Sequence, residues 1–174
     1  MENKKYSEKY DAYYDEQTNE WLEDICDDPE CDLCVGRTPT PLTEIFVFGS
    51  NLAGRHGAGA AKFALENHGA IYGQGIGLQG QSYGIPTKDK NIQTLPLDSI
   101  QSYVTAFLEF AASRPDLIFN VTAVGCGLAG YTPEQIAPFF QHYPTNVKLP
   151  MEFLDVLYAP PVSYTHLTLP TILL

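Results

Sequence analysis

The run Glu44-Ile45-Phe46-Val47-Phe48-Gly49 decides how the chain is read. Its β-branched and aromatic residues end at a glycine, the pattern of a short buried strand. A glycine-rich loop follows, Ser50-Asn51-Leu52-Ala53-Gly54-Arg55-His56-Gly57-Ala58-Gly59. Then Ala60-Ala61-Lys62-Phe63-Ala64-Leu65-Glu66-Asn67 has helical composition, with His68-Gly69 as its stop. Strand, glycine loop and helix therefore form one unit.

The unit returns near the end. Leu117-Ile118-Phe119-Asn120-Val121-Thr122-Ala123-Val124 reads as a central strand and Gly125-Cys126-Gly127-Leu128-Ala129-Gly130-Tyr131 as its loop. Thr132 is set to cap the next helix, with Pro133 in the first turn and Gln135 three residues on. Between the units lie a second glycine loop at 73–80 and an extended segment, Ser82-Tyr83-Gly84-Ile85-Pro86-Thr87. Asp98 is predicted to cap a long helix, with Gln101 at the capping-box position. Ile100, Tyr103, Val104, Phe107, Leu108 and Ala111 form its apolar stripe, and Arg114-Pro115 ends it. Residues 146–149 and 151–157 read as further strands or edge pieces. Repeated strand–loop–helix units predict an α/β fold with a mostly parallel central sheet. In such folds ligands sit beyond the carboxyl ends of the strands. The 49–59 and 125–131 loops would lie there, each before a helix N-terminus that favours phosphate.

The whole chain has 174 residues, 44% of them hydrophobic and 12% aromatic, enough for one globular domain with tails. Its formal charge is −11, from 10 basic and 21 acidic residues. That balance argues against a general nucleic-acid binder. No apolar run approaches membrane-spanning length. Met1-Glu2-Asn3-Lys4-Lys5-Tyr6 has no apolar stretch behind it, so no signal peptide and a cytoplasmic location are expected. The charge is segregated. Residues 1–36 hold 12 acids and 3 Lys, a net of −9; residues 37–174 hold 9 acids and 7 basic residues, a net of −2. The boundary falls at Arg37-Thr38-Pro39-Thr40-Pro41, an extended linker. The domains expected are an acidic appendage at 1–37 and a body at 38–161.

Within the appendage, Tyr6, Tyr10, Tyr13, Tyr14, Trp21, Leu22 and Ile25 fall at helical spacing and predict a helix with a solvated acidic face. Cys26, Cys31 and Cys34 follow. The Cys31-x2-Cys34 half resembles a zinc-knuckle turn, so a structural zinc is the one metal expected, with Asp28 or Asp32 as candidate fourth ligands. Three free thiols in an acidic tail are the alternative.

Two glycine motifs fail their context. Gly75-Ile76-Gly77-Leu78-Gln79-Gly80 matches the dinucleotide fingerprint, but Gln81-Ser82-Tyr83-Gly84-Ile85-Pro86 after it is not a helix. Gly49-Ser50-Asn51-Leu52-Ala53-Gly54 has the glycines of a P-loop, but Arg55-His56 replaces the Lys-Ser/Thr pair.

Residues 46–64, then Tyr83-Gly84-Ile85-Pro86-Thr87-Lys88, then Val124-Gly125-Cys126-Gly127-Leu128-Ala129-Gly130, resemble in order and spacing the macrodomain family, which binds ADP-ribose. The late segment is most similar to the branch of terminal ADP-ribose glycohydrolases, whose loop reads Gly-Cys-Gly-Leu-Asp. The chain also resembles a group of phage-encoded proteins related to macrodomains. The resemblance spans residues 44–157 and implies a macrodomain-like three-layer α/β/α body that binds an ADP-ribose-like nucleotide. It implies that Gly57-Ala58-Gly59 passes close to ribose and diphosphate, beside Gly49, Ser50 and Asn51, with Asn51 near the distal ribose. Gly125, Cys126, Gly127, Leu128, Ala129, Gly130 and Tyr131 would wrap the diphosphate. Lys88 matches a lysine that attacks the distal ribose in the glycohydrolase branch. The acidic partner in that branch falls at Ala129, and alanine cannot serve as acid or base.

Single residues keep alternatives. His56 is a ligand donor or acid/base, or a solvated loop histidine. Cys126 is a thiolate nucleophile at a helix N-terminus, or a small packed residue. Arg55 meets a phosphate or solvent. Tyr131 covers the ligand or belongs to the core. The function expected is nucleotide binding without a required cofactor, nucleic acid or membrane. The alternatives are hydrolysis of ADP-ribosyl esters or ADP-ribose 1″-phosphate, and a phage-encoded non-catalytic protein acting on a host factor through the appendage.

The end of the chain reads differently. Val162-Ser163-Tyr164-Thr165-His166-Leu167-Thr168-Leu169-Pro170-Thr171 resembles a translated transposase sequencing adapter. The adapter bases on either side suit Pro161 and Ile172. Residues 162–174 are therefore kept out of the fold reading, and the natural chain is expected to have been cut near Pro160 or Pro161.

Overall fold

The computed structural model describes residues 4–15, 18–26, 28, 30–32, 34, 37, 40, 41 and 43–158. The adapter-like tail at 162–174 lies outside the described residues, as do Thr38 and Pro39 of the expected linker.

The appendage is not helical where it is described. Lys4–Ser7 (β1), Ala12–Asp15 (β2) and Glu20–Trp21 (β3) form an antiparallel sheet in the order β1-β2-β3. Its tyrosines pair across strands instead of along a helix face. Tyr6 lies opposite Tyr13 in the register, with ring centroids 5.1 Å apart. Cross-strand aromatic pairs of this kind stabilise a sheet. The turns bend at Asp11 and Asn19, both with positive φ, the conformation Asp and Asn tolerate best among residues with a side chain.

The body follows the predicted alternation. In chain order come Glu44–Asn51 (β4), Gly59–Asn67 (α1), Gly77–Gln79 (β5), Ser82–Lys88 (β6), Leu97–Ser113 (α2) and Ile118–Val121 (β7). Pro133–Ile136 (α3), a 3-10 turn at Ala137–Phe140, Val147–Lys148 (β8) and Met151–Tyr158 (α4) complete it. The sheet order is β5-β6-β4-β7-β8. β6, β4, β7 and β8 run parallel, and β5 is an antiparallel edge. The body is therefore a mixed α/β fold with a mostly parallel sheet.

Alternation along β4 sorts the core. Ile45 and Val47 join one apolar cluster with Phe107 of α2, Phe119 of β7, Phe140 and Phe153. Phe46 and Phe48 join the other, with Ala61 and Ala64 of α1. A strand with both faces covered reads as a continuous apolar run, which is how Glu44–Asn51 looks in the sequence.

Four local expectations change. The stretch read as a glycine loop at 73–80 holds β5. α2 starts at Leu97 with Pro96 before it, so Asp98 sits in the first turn and is not the cap. There its charge still suits the helix dipole. Residues 151–158 form a helix, not a strand: Phe153 is buried, and Val156 and Leu157 pack on the same core at helical spacing. β7 is shorter than the apolar run 117–124, because Thr122 turns its hydroxyl to Val47 O at 2.9 Å and Val124 is already in the loop. Thr132 caps α3 as expected, its N–H donating to Gln135 Oε1 at 3.0 Å. No helix among the described residues is long and apolar enough to cross a membrane.

Phe107 is fully buried, with Phe119 at 5.5 Å, Tyr83 at 5.0 Å and Phe140 at 6.4 Å between ring centroids. Phe107→Ala removes the shared ring of that cluster. We expect a loss of about 3–5 kcal/mol in urea unfolding followed by far-UV circular dichroism.

Candidate functional site

β4 lies between β6 and β7, so the chain leaves β4 toward one neighbour and later returns to the other. Ligand clefts form at such reversals, beyond the strand ends. A cavity of about 390 Å³ opens there. Its floor comes from Gly49, Ser50 and Asn51 of β4, Thr87 and Lys88 of β6, and Thr122, Ala123 and Val124 after β7. One wall is Arg55, Gly57, Ala58 and the start of α1, Gly59, Ala60 and Ala61. The other wall is Gly125, Gly127, Leu128 and Ala129, with Ile92 also on the lining.

Side-chain bonds to backbone hold these walls. Asn51 Nδ2 donates to Arg55 O at 2.7 Å, and Arg55 N–H donates to Asn51 Oδ1 at 2.9 Å. Both ends of that amide are thus spent on shaping the loop. The Ser50 hydroxyl, buried, donates to Gly75 O. Gly75 has no room for a side chain, because a Cβ would run into the Asn51 carbonyl. The fingerprint-like glycines thus serve a close approach to β4, and the segment continues as the β5–β6 hairpin instead of a helix. On the other wall, Thr94 Oγ1 donates to Ala129 O at 3.0 Å and Tyr131 OH to Leu95 O at 2.7 Å. Gly125 turns the chain at φ +82°, with Ile136 close behind it.

The lining has a consistent electrostatic character. No described residue of the lining is acidic, and Arg55 and Lys88 are cationic. Lys88 has no ion-pair partner among the described residues. α1 begins after Ala58, which has no side chain to cap it, and no acid lies in its first turn. Its first N–H groups therefore carry partial positive charge toward the cavity. Across the cleft, the N–H groups of Gly127, Leu128 and Ala129 have no protein partner among the described residues. The geometry can accept an anion from two sides.

Of the residues singled out in the sequence, Gly49, Ser50, Asn51, Gly57, Ala58, Gly59, Lys88, Gly125, Gly127, Leu128 and Ala129 meet at this cavity. His56, Cys126, Gly130 and Tyr131 are not on its lining. His56 is neither solvated nor beside the ligand space: it is 1% exposed, edge-on to Phe48. Its Nε2 lies 3.1 Å from Ile71 O and 3.0 Å from Gln74 O, so it pins the 71–74 loop. Tyr131 packs on the main core. Gly130 closes a turn through its N–H to Gly127 O at 2.9 Å. Thr87, Thr122, Ala123, Val124 and Ile92 line the cavity and were missed. Ile92 sits at φ +67°, rare for a β-branched residue. The usable signal was Asp89, whose Oδ1 accepts the N–H groups of Asn91 and Gln93 at 2.8 Å each and winds the loop tight.

A second cluster lies in the appendage. One ligand atom each from Cys26, Cys31 and Cys34 falls within 4.8 Å of the others, so the three can bind a metal. Cys26 and Cys34 sulfurs are 3.1 Å apart. The shared hydrogen bond with Cys34 pushes the Cys26 thiol up to about 11.

Cys126 is a different case. Burial pushes its thiol up, with Glu134 and Glu152 adding to the effect. Its Sγ faces Val124 O at 3.7 Å. Both effects work against the thiolate, the reactive form, and the side chain packs on the main core. In a chain carrying Cys26→Ser, Cys31→Ser and Cys34→Ser, Cys126 should react with iodoacetamide severalfold more slowly than glutathione at pH 7.5. The rate should climb as pH rises toward 9.5, because only the thiolate reacts. A rate at neutral pH above that of glutathione would contradict this.

Comparison with protein-family models, with curated proteins and with solved structures gave no match in any of the three.

Proposed function

We propose that the cleft binds ADP-ribose or a related NAD-derived nucleotide within a macrodomain-like three-layer body. One observation carries this reading. In a chain of net charge −11, the cavity is lined, among the described residues, by two cations, no carboxylate, an uncapped helix start and loop N–H groups without a protein partner. A diphosphate suits that space, held by dipoles from α1 and from the 127–129 backbone. The volume is in the range of small-molecule sites. The uncharged part of the nucleotide would lie against Ile92 and Leu128, the large aliphatic side chains of the lining.

Binding is favoured over hydrolysis. Breaking a glycosidic or ester bond calls for an acid or base at the reacting atoms. The lining offers none at Ala129, and His56 is held elsewhere. Lys88 on the cavity floor is the observation that favours a hydrolytic second reading.

The test is calorimetric titration of the full chain with ADP-ribose, with AMP and NAD as controls. A Kd in the micromolar range, about −8 kcal/mol, is expected. Gly127→Glu should abolish it without disturbing the fold, because a Cβ at Gly127 meets open space and the carboxylate would enter an anion site. Lys88→Ala should weaken binding severalfold. Turnover of an ADP-ribosyl ester that vanishes in Lys88→Ala, with binding retained, would establish the hydrolytic reading instead.

The cysteine cluster supports a separate assignment, a structural zinc. Zinc bound by thiolates at about 2.3 Å sets sulfurs roughly 3.8 Å apart, within the 4.8 Å that spans the three sulfurs, of which Cys26 and Cys34 are 3.1 Å apart. A water or a loop carboxylate would complete the tetrahedron. Elemental analysis of the reduced full chain should find one zinc per chain, lost in Cys31→Ser. A metal content unchanged by that substitution would remove the assignment.

A further inference from the structure

The cysteine cluster sits on a segment with little else to hold it together. β1 and β2 have four residues each and β3 has two. Sheets this small are marginal unless an apolar face is buried. Among the described residues before Thr43, Ala12 is the one apolar side chain that is buried. Tyr6, Leu22 and Ile25 are each about half exposed, at 49%, 50% and 57%. Among the described residues no disulfide closes the segment. Segments of this size normally need a disulfide, a metal or a partner to fold.

One residue ties the strands to the cysteine loop. The Arg37 guanidinium stacks over the Trp21 ring at 4.0 Å. It also donates to Glu23 O at 2.5 Å and to Asp24 O at 3.3 Å. Cys26, Cys31 and Cys34 lie between those two anchors in the chain. An ion on the three sulfurs would pin the loop between Asp24 and Arg37 and so hold the guanidinium on the ring. Where a site forms only on folding, metal binding supplies folding free energy.

We infer that residues 4–37 form a metal-dependent module, in which one Zn²⁺ on Cys26, Cys31 and Cys34 folds the β1–β3 sheet and seats Arg37 on Trp21. This rests on the zinc assignment above and adds the coupling to folding.

The chain has a single tryptophan, Trp21, so its emission reports this segment alone. The reduced full chain is stripped with chelator and titrated in two arms. Co²⁺ reads coordination through its thiolate charge-transfer band. Zn²⁺ reads folding through Trp21 emission and acrylamide quenching. We expect the cobalt band to saturate at one equivalent. One equivalent of zinc should blue-shift Trp21 and lower its quenching severalfold, reversed by excess chelator. Cys31→Ser and Cys34→Ser should lose both signals, and Cys126→Ser should keep both. A saturating cobalt band with Trp21 unchanged by zinc overturns the coupling and leaves the zinc assignment standing. Trp21 already blue and protected in stripped protein overturns it too. No thiolate–cobalt band at all removes the zinc assignment and this inference together.

Discussion

The structure depends on β4 being paired on both edges and covered on both faces. β6 and β7 lie parallel on either side of it. Ile45 and Val47 serve one core, Phe46 and Phe48 the other. A slip of one residue would exchange those faces, so burial fixes the register. The register in turn fixes where Gly49, Ser50 and Asn51 emerge at the carboxyl end. Everything at the cavity is built from there. Its walls are loops, yet each is tied by side chains that reach backbone: Asn51 to Arg55, Thr94 to Ala129, Tyr131 to Leu95. Such bonds let a glycine-rich loop hold one shape without strand pairing.

Much of this was legible because it is local. The apolar runs of β4, β6 and β7, the stripe of α2 and the stop after α1 follow from spacing within a dozen residues. The glycine loops after β4 and β7 were located near the strand ends, although β4 runs on through Asn51 and the 73–80 stretch holds β5. What failed was locally ambiguous or depended on distant partners. In the appendage, Tyr6, Tyr10, Tyr13 and Tyr14 suit a helix face and a hairpin equally. The turn that decides between them rests on Asp11 at positive φ, with no glycine to announce it. In α4 a short apolar run fits either period. His56 was misread because its partners, the Ile71 and Gln74 carbonyls, lie 15 and 18 residues away. Ile92 was missed because its conformation is imposed by the Asp89 carboxylate.

The glycines are not interchangeable, although the sequence shows them as one class. Gly75 is needed for a close approach to the Asn51 carbonyl, and Gly125 for a positive φ against Ile136. Gly57 and Gly127 have open space where a Cβ would stand. Bare backbone at those two positions leaves their surroundings accessible from the cleft. Glycine at 75 and 125 is therefore explained by folding, and at 57 and 127 by nothing in the packing. That division locates the accessible backbone on the two facing walls.

The chain's acidity does not oppose an anion at this cleft, because charge acts locally. Exposed charges more than about 8 Å apart are largely screened at physiological ionic strength. Most of the excess sits in residues 1–36, with −9, against −2 for the rest. On the cavity lining itself, among the described residues, the charges are Arg55 and Lys88 and the partial charges of α1 and the 127–129 N–H groups. Those dipoles are held by the fold and cost nothing to reorient when an anion arrives. A long cationic side chain, in contrast, loses rotamer freedom on binding. The body can therefore favour a phosphate with little net positive charge, provided its lining stays free of carboxylates.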